Sequence, residues 1–304
     1  MRILILGPTG QIGYQLSQLS KSAIDVSEVI TAGRREADVL LDPLDRVALS
    51  NLFAEVQPDI VINAIAHTAV DNAESEIELA FQLNADLPAA LADQCSQHNC
   101  LLIHYSTDFV FDGSENVPWL ESSGTNPLSV YGRSKLAGEK AIQISSCAHL
   151  ILRTSWVYGG RGSNFLLTML RLAKERESLA VVSDQIGSPT CSYDIAKATL
   201  ELCERYKDDE EFVKSKRGIY HLTAFGETSW HGFAKEIFEL AEGYESLAIK
   251  QLSAITTQQY PTPATRPAYS VLNCSLLKST FDIELVDWKQ ALETCLKTYY
   301  KVNL

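Results

Sequence analysis

The sequence predicts an α/β fold, a doubly wound parallel sheet with a smaller C-terminal region, and three observations point there. First, Ile3-Leu4-Ile5-Leu6 is an unbroken aliphatic run that stops at Gly7; Gly10 and Gly13 follow, and Ile12, Leu16 and Leu19 continue at helical spacing. Second, further short apolar runs over 28–32, 39–42, 59–64, 101–107 and 150–154 alternate with helical patterns, as strands covered on both faces do. Third, 304 residues with 46 % apolar content suffice for one large α/β domain and a companion.

Composition then narrows the class. A formal net charge of -12 disfavours nonspecific attraction to nucleic acid or to anionic membrane, so any anionic ligand must be held by local devices. Seven scattered cysteines, with no C-x-x-C pair and no histidine at zinc spacing, fit reduced thiols in a cytosolic enzyme. No eighteen apolar residues run together, and the apolar start is too short for a signal-peptide core. A cytoplasmic protein is expected.

The order strand, glycine turn, helix turns an otherwise weak motif into a dinucleotide site. Backbone amides at the helix start face a pyrophosphate, and side chains at Gly7, Gly10 and Gly13 would block its approach. The fold is therefore of the Rossmann type. The second strand, 28–32, runs into Gly33-Arg34-Arg35. An acidic residue at that place binds ribose hydroxyls and repels a 2′-phosphate, whereas arginine accepts the phosphate, so NADPH is expected over NADH. Asp42, ending the third strand, is placed to meet the adenine amino group or to cap a helix over 43–56. Beyond the fourth strand, 59–64, the small Ala64 and Ala66 allow close backbone approach to a cofactor, with His67 and Thr68 beside them. His67 has no metal-ligating partner at i+3 or i+4 and reads as a loop hydrogen-bonding residue. A long helical pattern over 75–98 carries Asn84 and breaks at Pro88.

The chemistry gathers at Thr107, Tyr131 and Lys135. Thr107 ends the fifth strand at the cofactor rim, where its hydroxyl can bond a substrate carbonyl. Tyr131 and Lys135 lie four apart on a helix and share a face. An ammonium about 4 Å from the phenol is worth roughly 4 kcal/mol at an effective dielectric of about 20. That is about three pK units, which would lower the phenol from about 10 to near 7.

These residues resemble the extended short-chain dehydrogenases and, within them, the dTDP-4-dehydrorhamnose reductases. The glycine spacing is G-x-x-G-x-x-G, and the triad of a strand-end Ser/Thr with Tyr-x-x-x-Lys matches Thr107, Tyr131 and Lys135. Further matches are residues 63–71, His104-Tyr105-Ser106-Thr107-Asp108, Arg153-Thr154-Ser155-Trp156-Val157-Tyr158, Asp184-Gln185-Ile186-Gly187-Ser188-Pro189-Thr190 and the segment 260–267. The resemblance implies that Gln11 and Ile12 join the cofactor site, that Asp108 and Gln185 join the substrate site, and that Trp156 covers the deoxysugar. It departs at Phe109, where the family often has Tyr and sugar-nucleotide dehydratases have a second carboxylate. Relatives that dimerise around Mg²⁺ use carboxylates where this chain has Gln15 and Tyr193, so no metal site is carried over.

In the C-terminal half, Asn164 should cap the helix 165–174, whose start with Arg161 would receive a diphosphate. The proline-rich segment 260–267 presents Arg266 either to a pyrophosphate or to a structural salt bridge. Residues 207–211 read as a solvated connection, 193–206 and 230–241 as helices, and 220–222 as a last strand. The expected division is a dinucleotide-binding domain over 1–155 and a mainly substrate-binding region over 156–304, with segments returning to the sheet. The resemblance implies NADPH-dependent reduction of the C4 ketone of a dTDP-linked 4-keto-6-deoxy sugar by a monomer or homodimer. Its rivals are another nucleotide-sugar oxidoreductase or epimerase, and a non-catalytic NADP-binding regulatory subunit.

Overall fold

The computed structural model describes residues 1–23 and 28–303. Seven strands form one sheet: β1 (Arg2–Leu6), β2 (Glu28–Gly33), β3 (Val39–Leu40), β4 (Ile60–Asn63), β5 (Leu101–Thr107), β6 (His149–Thr154) and β7 (Gly218–His221). Their spatial order is β7-β6-β5-β4-β1-β2-β3, and every neighbouring pair is parallel. The chain winds outward from β1 to β2 and β3 on one side and from β4 to β7 on the other. The crevice between β1 and β4 is thus a topological switch point, where ligands of such sheets bind at the carboxyl ends of the strands.

The unbroken apolar runs follow from burial on both faces. Ile3, Ile5, Ile60, Ile62 and Ile103 pack with Leu16 of α1 (Gln11–Ala23). Leu4, Leu6, Val61 and Leu102 point the other way, onto Leu52 and Phe53 of α2 (Arg46–Val56) and Leu91 of α3 (Leu87–His98). After α4 (Val130–Ile144), α5 (Phe165–Glu175) and α6 (Ser192–Asp208), a separate core gathers Leu166 and Leu170 of α5 with Phe233 and Ile237 of α7 (Trp230–Ala241). Leu292 and Leu296 of α8 (Trp288–Asn303) complete it.

Several local expectations change. Helix α2 starts three residues later than expected: Asp45, not Asp42, is its cap, accepting from the amides of Val47 and Ala48 at 2.9 and 3.0 Å. Asp42 instead accepts from the Leu44 amide two residues on, a tight local turn. The pattern over 75–98 divides into Ile77–Phe81, a π-helical turn Gln82–Asp86 and α3, with Pro88 in the first turn of α3, where its missing N–H is tolerated. Residues 207–211 are not a plain connection, because α6 runs to Asp208 and Asp209 caps a short helix, Glu210–Ser215. A parallel strand pair, Ser178–Val182 with Gln251–Ile255, was not legible as such. Ser229 and Asn164 do cap α7 and α5, accepting from Gly232 and Leu167.

Candidate active site

The glycine turn closes β1 onto α1. Gly7 has φ +83°, a left-handed conformation, and its amide donates to the Ala32 carbonyl of β2. A Cβ on Gly13 would stand 2.1 Å from the Gly7 carbonyl oxygen, so turn and helix touch with no room for a side chain. Gly10 is exposed, and a Cβ there would meet nothing closer than 3.5 Å. Glycine there leaves bare backbone at the start of α1, whose first-turn amides have no partner within the helix. With Ala64 and Ala66 part-exposed and Thr68 exposed at the end of β4, these residues form a cradle that fits a dinucleotide pyrophosphate. Ile12 is partly buried against the sheet core. His67 lies in the same loop, its amide and carbonyl both bonded to the Asn84 side chain and its Nε2 2.7 Å from Glu76.

Across the crevice, close backbone contact seats α4. Ser129 caps it, accepting from the Gly132 amide, and a Cβ on Gly132 would lie 2.3 Å from the Phe109 carbonyl oxygen. At Gly138 a Cβ would meet the Asn84 carbonyl oxygen at 2.1 Å, so the π-helical turn packs directly on the helix. Asn84 Nδ2 also donates to Ser134 Oγ, which donates to the Tyr131 carbonyl. These contacts bring Tyr131 beside Thr107, whose hydroxyl lowers the pKa of the phenol. Phe109 stands edge-on to the Tyr131 ring, with centroids 5.6 Å apart.

The electrostatics differ from the expectation drawn from spacing alone. Burial, the largest influence, pushes the Tyr131 phenol up to about 12; the Thr107 hydroxyl pulls it down and the Asp108 carboxylate raises it again. The predicted lowering toward 7 is absent. Lys135 directs its Nζ to the Tyr105 carbonyl at 2.6 Å and lies 3.3 Å from His104 Nε2, and burial brings its pKa down to about 8. Burial also holds His104 well below its ordinary value, so a neutral ring faces the amine. Tyr131 and Lys135 share a helix, but the lysine ammonium bonds the backbone of β5.

Thr107 directs its own proton to Asp108 Oδ1 at 3.0 Å and accepts from the Phe109 amide. Asp108 is almost wholly buried, and burial raises its carboxyl to about 6 against the lowering pull of the Ser270 and Thr107 hydroxyls. It contacts the triad more directly than the expected substrate role required. Ser270, 162 positions away, gave no sign of this in the sequence.

The other expected substrate residues are dispersed. Trp156 has φ +46° and stacks on Trp230, with centroids 3.6 Å apart; a Cβ on Gly187 would lie 2.5 Å from its ring. Gln185 is buried, its amide nitrogen donating to Thr257 Oγ1. Arg266 pairs with Asp71 at 2.8 Å. Arg161 and Asn164, expected at a substrate diphosphate, contact the dinucleotide half. Asn164 Nδ2 donates to Gln11 Oε1 in the glycine turn, and Arg161 lies over the Tyr14 ring of α1 and 3.4 Å from Glu36. Arg34 and Arg35 are exposed just beyond β2.

A doubly wound sheet with a glycine turn at its switch point, and a Thr-Tyr-Lys group across the same crevice, defines the short-chain dehydrogenase/reductase class of nicotinamide-dependent oxidoreductases. The family described as RmlD substrate binding domain matches residues 1–301. The dTDP-4-dehydrorhamnose reductase of Salmonella typhimurium is 42 % identical over 297 residues, 97 % of each chain. Two solved structures agree closely. A Clostridium acetobutylicum dTDP-4-dehydrorhamnose reductase has a TM-score of 0.87 and 37 % identity, covering 98 % of this chain and 99 % of its own. A Bacillus anthracis one in complex with NADP has a TM-score of 0.87 and 32 % identity at the same coverage. The chain belongs to the dTDP-4-dehydrorhamnose reductase family.

Proposed function

We propose that this chain reduces the C4 ketone of dTDP-4-dehydro-L-rhamnose to dTDP-L-rhamnose, using NADPH, in the cytoplasm. The observation that carries the reading is the meeting of Thr107, Tyr131 and Lys135 across from the glycine turn, in a chain that aligns with named reductases over nearly its whole length. The nicotinamide, when bound, supplies the hydride. Tyr131 is the acid. A phenol held at about 12 is fully protonated at neutral pH, so it carries the proton that the developing C4 alkoxide needs. Thr107 lies beside the phenol and, by turning its own proton from Asp108, bonds the ketone oxygen. Lys135, anchored on the Tyr105 carbonyl, has donor capacity left for the ribose hydroxyls of the nicotinamide half. Arg34 and Arg35 favour the 2′-phosphate of NADPH over NADH.

The direct test follows NADPH oxidation at 340 nm, with the substrate generated in place by the upstream sugar dehydratase and epimerase. Turnover with the dTDP-linked ketone, and none without it, is expected. A purified chain that binds NADPH but oxidises none would favour a regulatory subunit, and turnover only with UDP- or GDP-linked ketones would move it to another oxidoreductase.

A further inference from the structure

We propose that Arg161 is a specificity residue for the cofactor, reading the phosphate on the adenosine ribose of NADPH; this rests on the NADPH reading above. The sequence suggested that Arg161 faces an anion, and its contacts lie on the dinucleotide half. Its guanidinium carbon lies 4.1 Å from the centre of the Tyr14 ring, one turn into the helix whose start cradles the pyrophosphate. Its Nη2 is 3.4 Å from the carboxylate of Glu36, which directly follows Arg34 and Arg35 at the carboxyl end of β2. Residues 159–164 are tied to the same place, since Asn164 bonds Gln11 and the Gly159 carbonyl. Arg161 therefore spans from the first helix to the loop beyond β2, the two elements between which an adenosine ribose lies in such folds.

The chemistry suits a phosphate better than the present carboxylate. A guanidinium lying over an aromatic ring can still turn N–H groups to a neighbouring anion, and its fork of donors matches phosphate oxygens in two parallel bonds. Its pair with Glu36 is weak in kind: the side chains are 46 % and 72 % exposed, where ion pairs contribute little and exchange readily. Glu36 is also a non-glycine residue at φ +47°, a conformation of higher energy that the surrounding loop must hold. Glu36 occupies the arginine in the free chain, and a 2′-phosphate displaces it.

The test is calorimetric titration of the full chain with 2′,5′-ADP and with 5′-ADP, which differ only in the 2′-phosphate and need no turnover. Arg161→Ala should weaken 2′,5′-ADP by at least about tenfold and 5′-ADP by less than about twofold, the loss of a charge-assisted bond. Arg161→Lys, which keeps the charge but not the fork, should fall between, and Glu36→Gln should bind 2′,5′-ADP more tightly than the parent. Equal losses on both ligands, or none in Arg161→Ala while Arg34→Ala/Arg35→Ala still loses 2′,5′-ADP, overturns the role of Arg161 and leaves the NADPH reading intact. A parent chain that binds the two ligands alike overturns both.

Discussion

Trp156 and Trp230 lie face to face, their ring centroids 3.6 Å apart and their planes 7° from parallel. Trp156 sits in the strand-to-loop turn after β6 at a positive φ, and Trp230 opens α7 behind it. The stack and the bare backbone of Gly187 hold the Trp156 ring at one angle. If that ring covers the sugar, Trp230→Ala should raise KM for the nucleotide sugar severalfold, through loss of an aromatic pair worth about 0.5–1.5 kcal/mol. The Kd for NADPH should not change. A KM unaltered by Trp230→Ala and by Trp156→Ala would remove both from the sugar site.

Tyr131→Phe keeps the ring against Phe109 and removes only the hydroxyl. Cofactor binding should stay within about twofold, while kcat drops by roughly 10²–10⁴, the usual worth of a positioned acid. Near-normal turnover would assign the proton to another group.

Asp108 makes stability depend on pH with an unusual sign. Its folded pKa, about 6, stands above its ordinary value of 3.8, so the protonated form is favoured in the folded chain. That contribution is complete below about pH 3.8 and is lost as pH rises through 6. At two pK units it amounts to about 3 kcal/mol as an upper value. Asp108→Asn, neutral at every pH, should therefore be more stable than the parent at pH 8 by about 1–3 kcal/mol, the gain shrinking toward pH 4. Denaturant melts at the two pH values check it, and a gain independent of pH would mean that the carboxyl is not the cause.

Arg266 can be tested against its partner. Asp71 takes the guanidinium at 2.8 Å and also accepts from the Ala264 amide, pinning the proline-rich segment. If Arg266 is passed to the diphosphate when substrate binds, Arg266→Ala should weaken nucleotide-sugar binding about tenfold or more with little change for NADPH. Asp71→Asn, which frees the arginine, should weaken it much less. Equal losses in both variants would make the pair an anchor for the segment and nothing more.

Much of this molecule is written in short stretches. The aliphatic run before Gly7 could only be a covered strand, and the glycines after it could only be a turn that a ligand approaches, because both depend on residues next to one another. The spacing of Tyr131 and Lys135 likewise placed them on one helical face. Caps such as Asn164 and Ser229 were legible for the same reason, since a cap bonds an amide three residues away.

What the tertiary structure alone decided is where long side chains end. Arg161 meets Glu36 across 125 positions and Arg266 meets Asp71 across 195, separations over which no periodic pattern carries information. Lys135 turned to the Tyr105 carbonyl, and burial raised Tyr131 where a neighbouring charge was expected to lower it. Sequence spacing sets the direction in which a side chain leaves the backbone. Its partner and its dielectric surroundings are set by elements that arrive from elsewhere in the chain, so the residues of this site were largely legible in the sequence while their charge states and pairings were not.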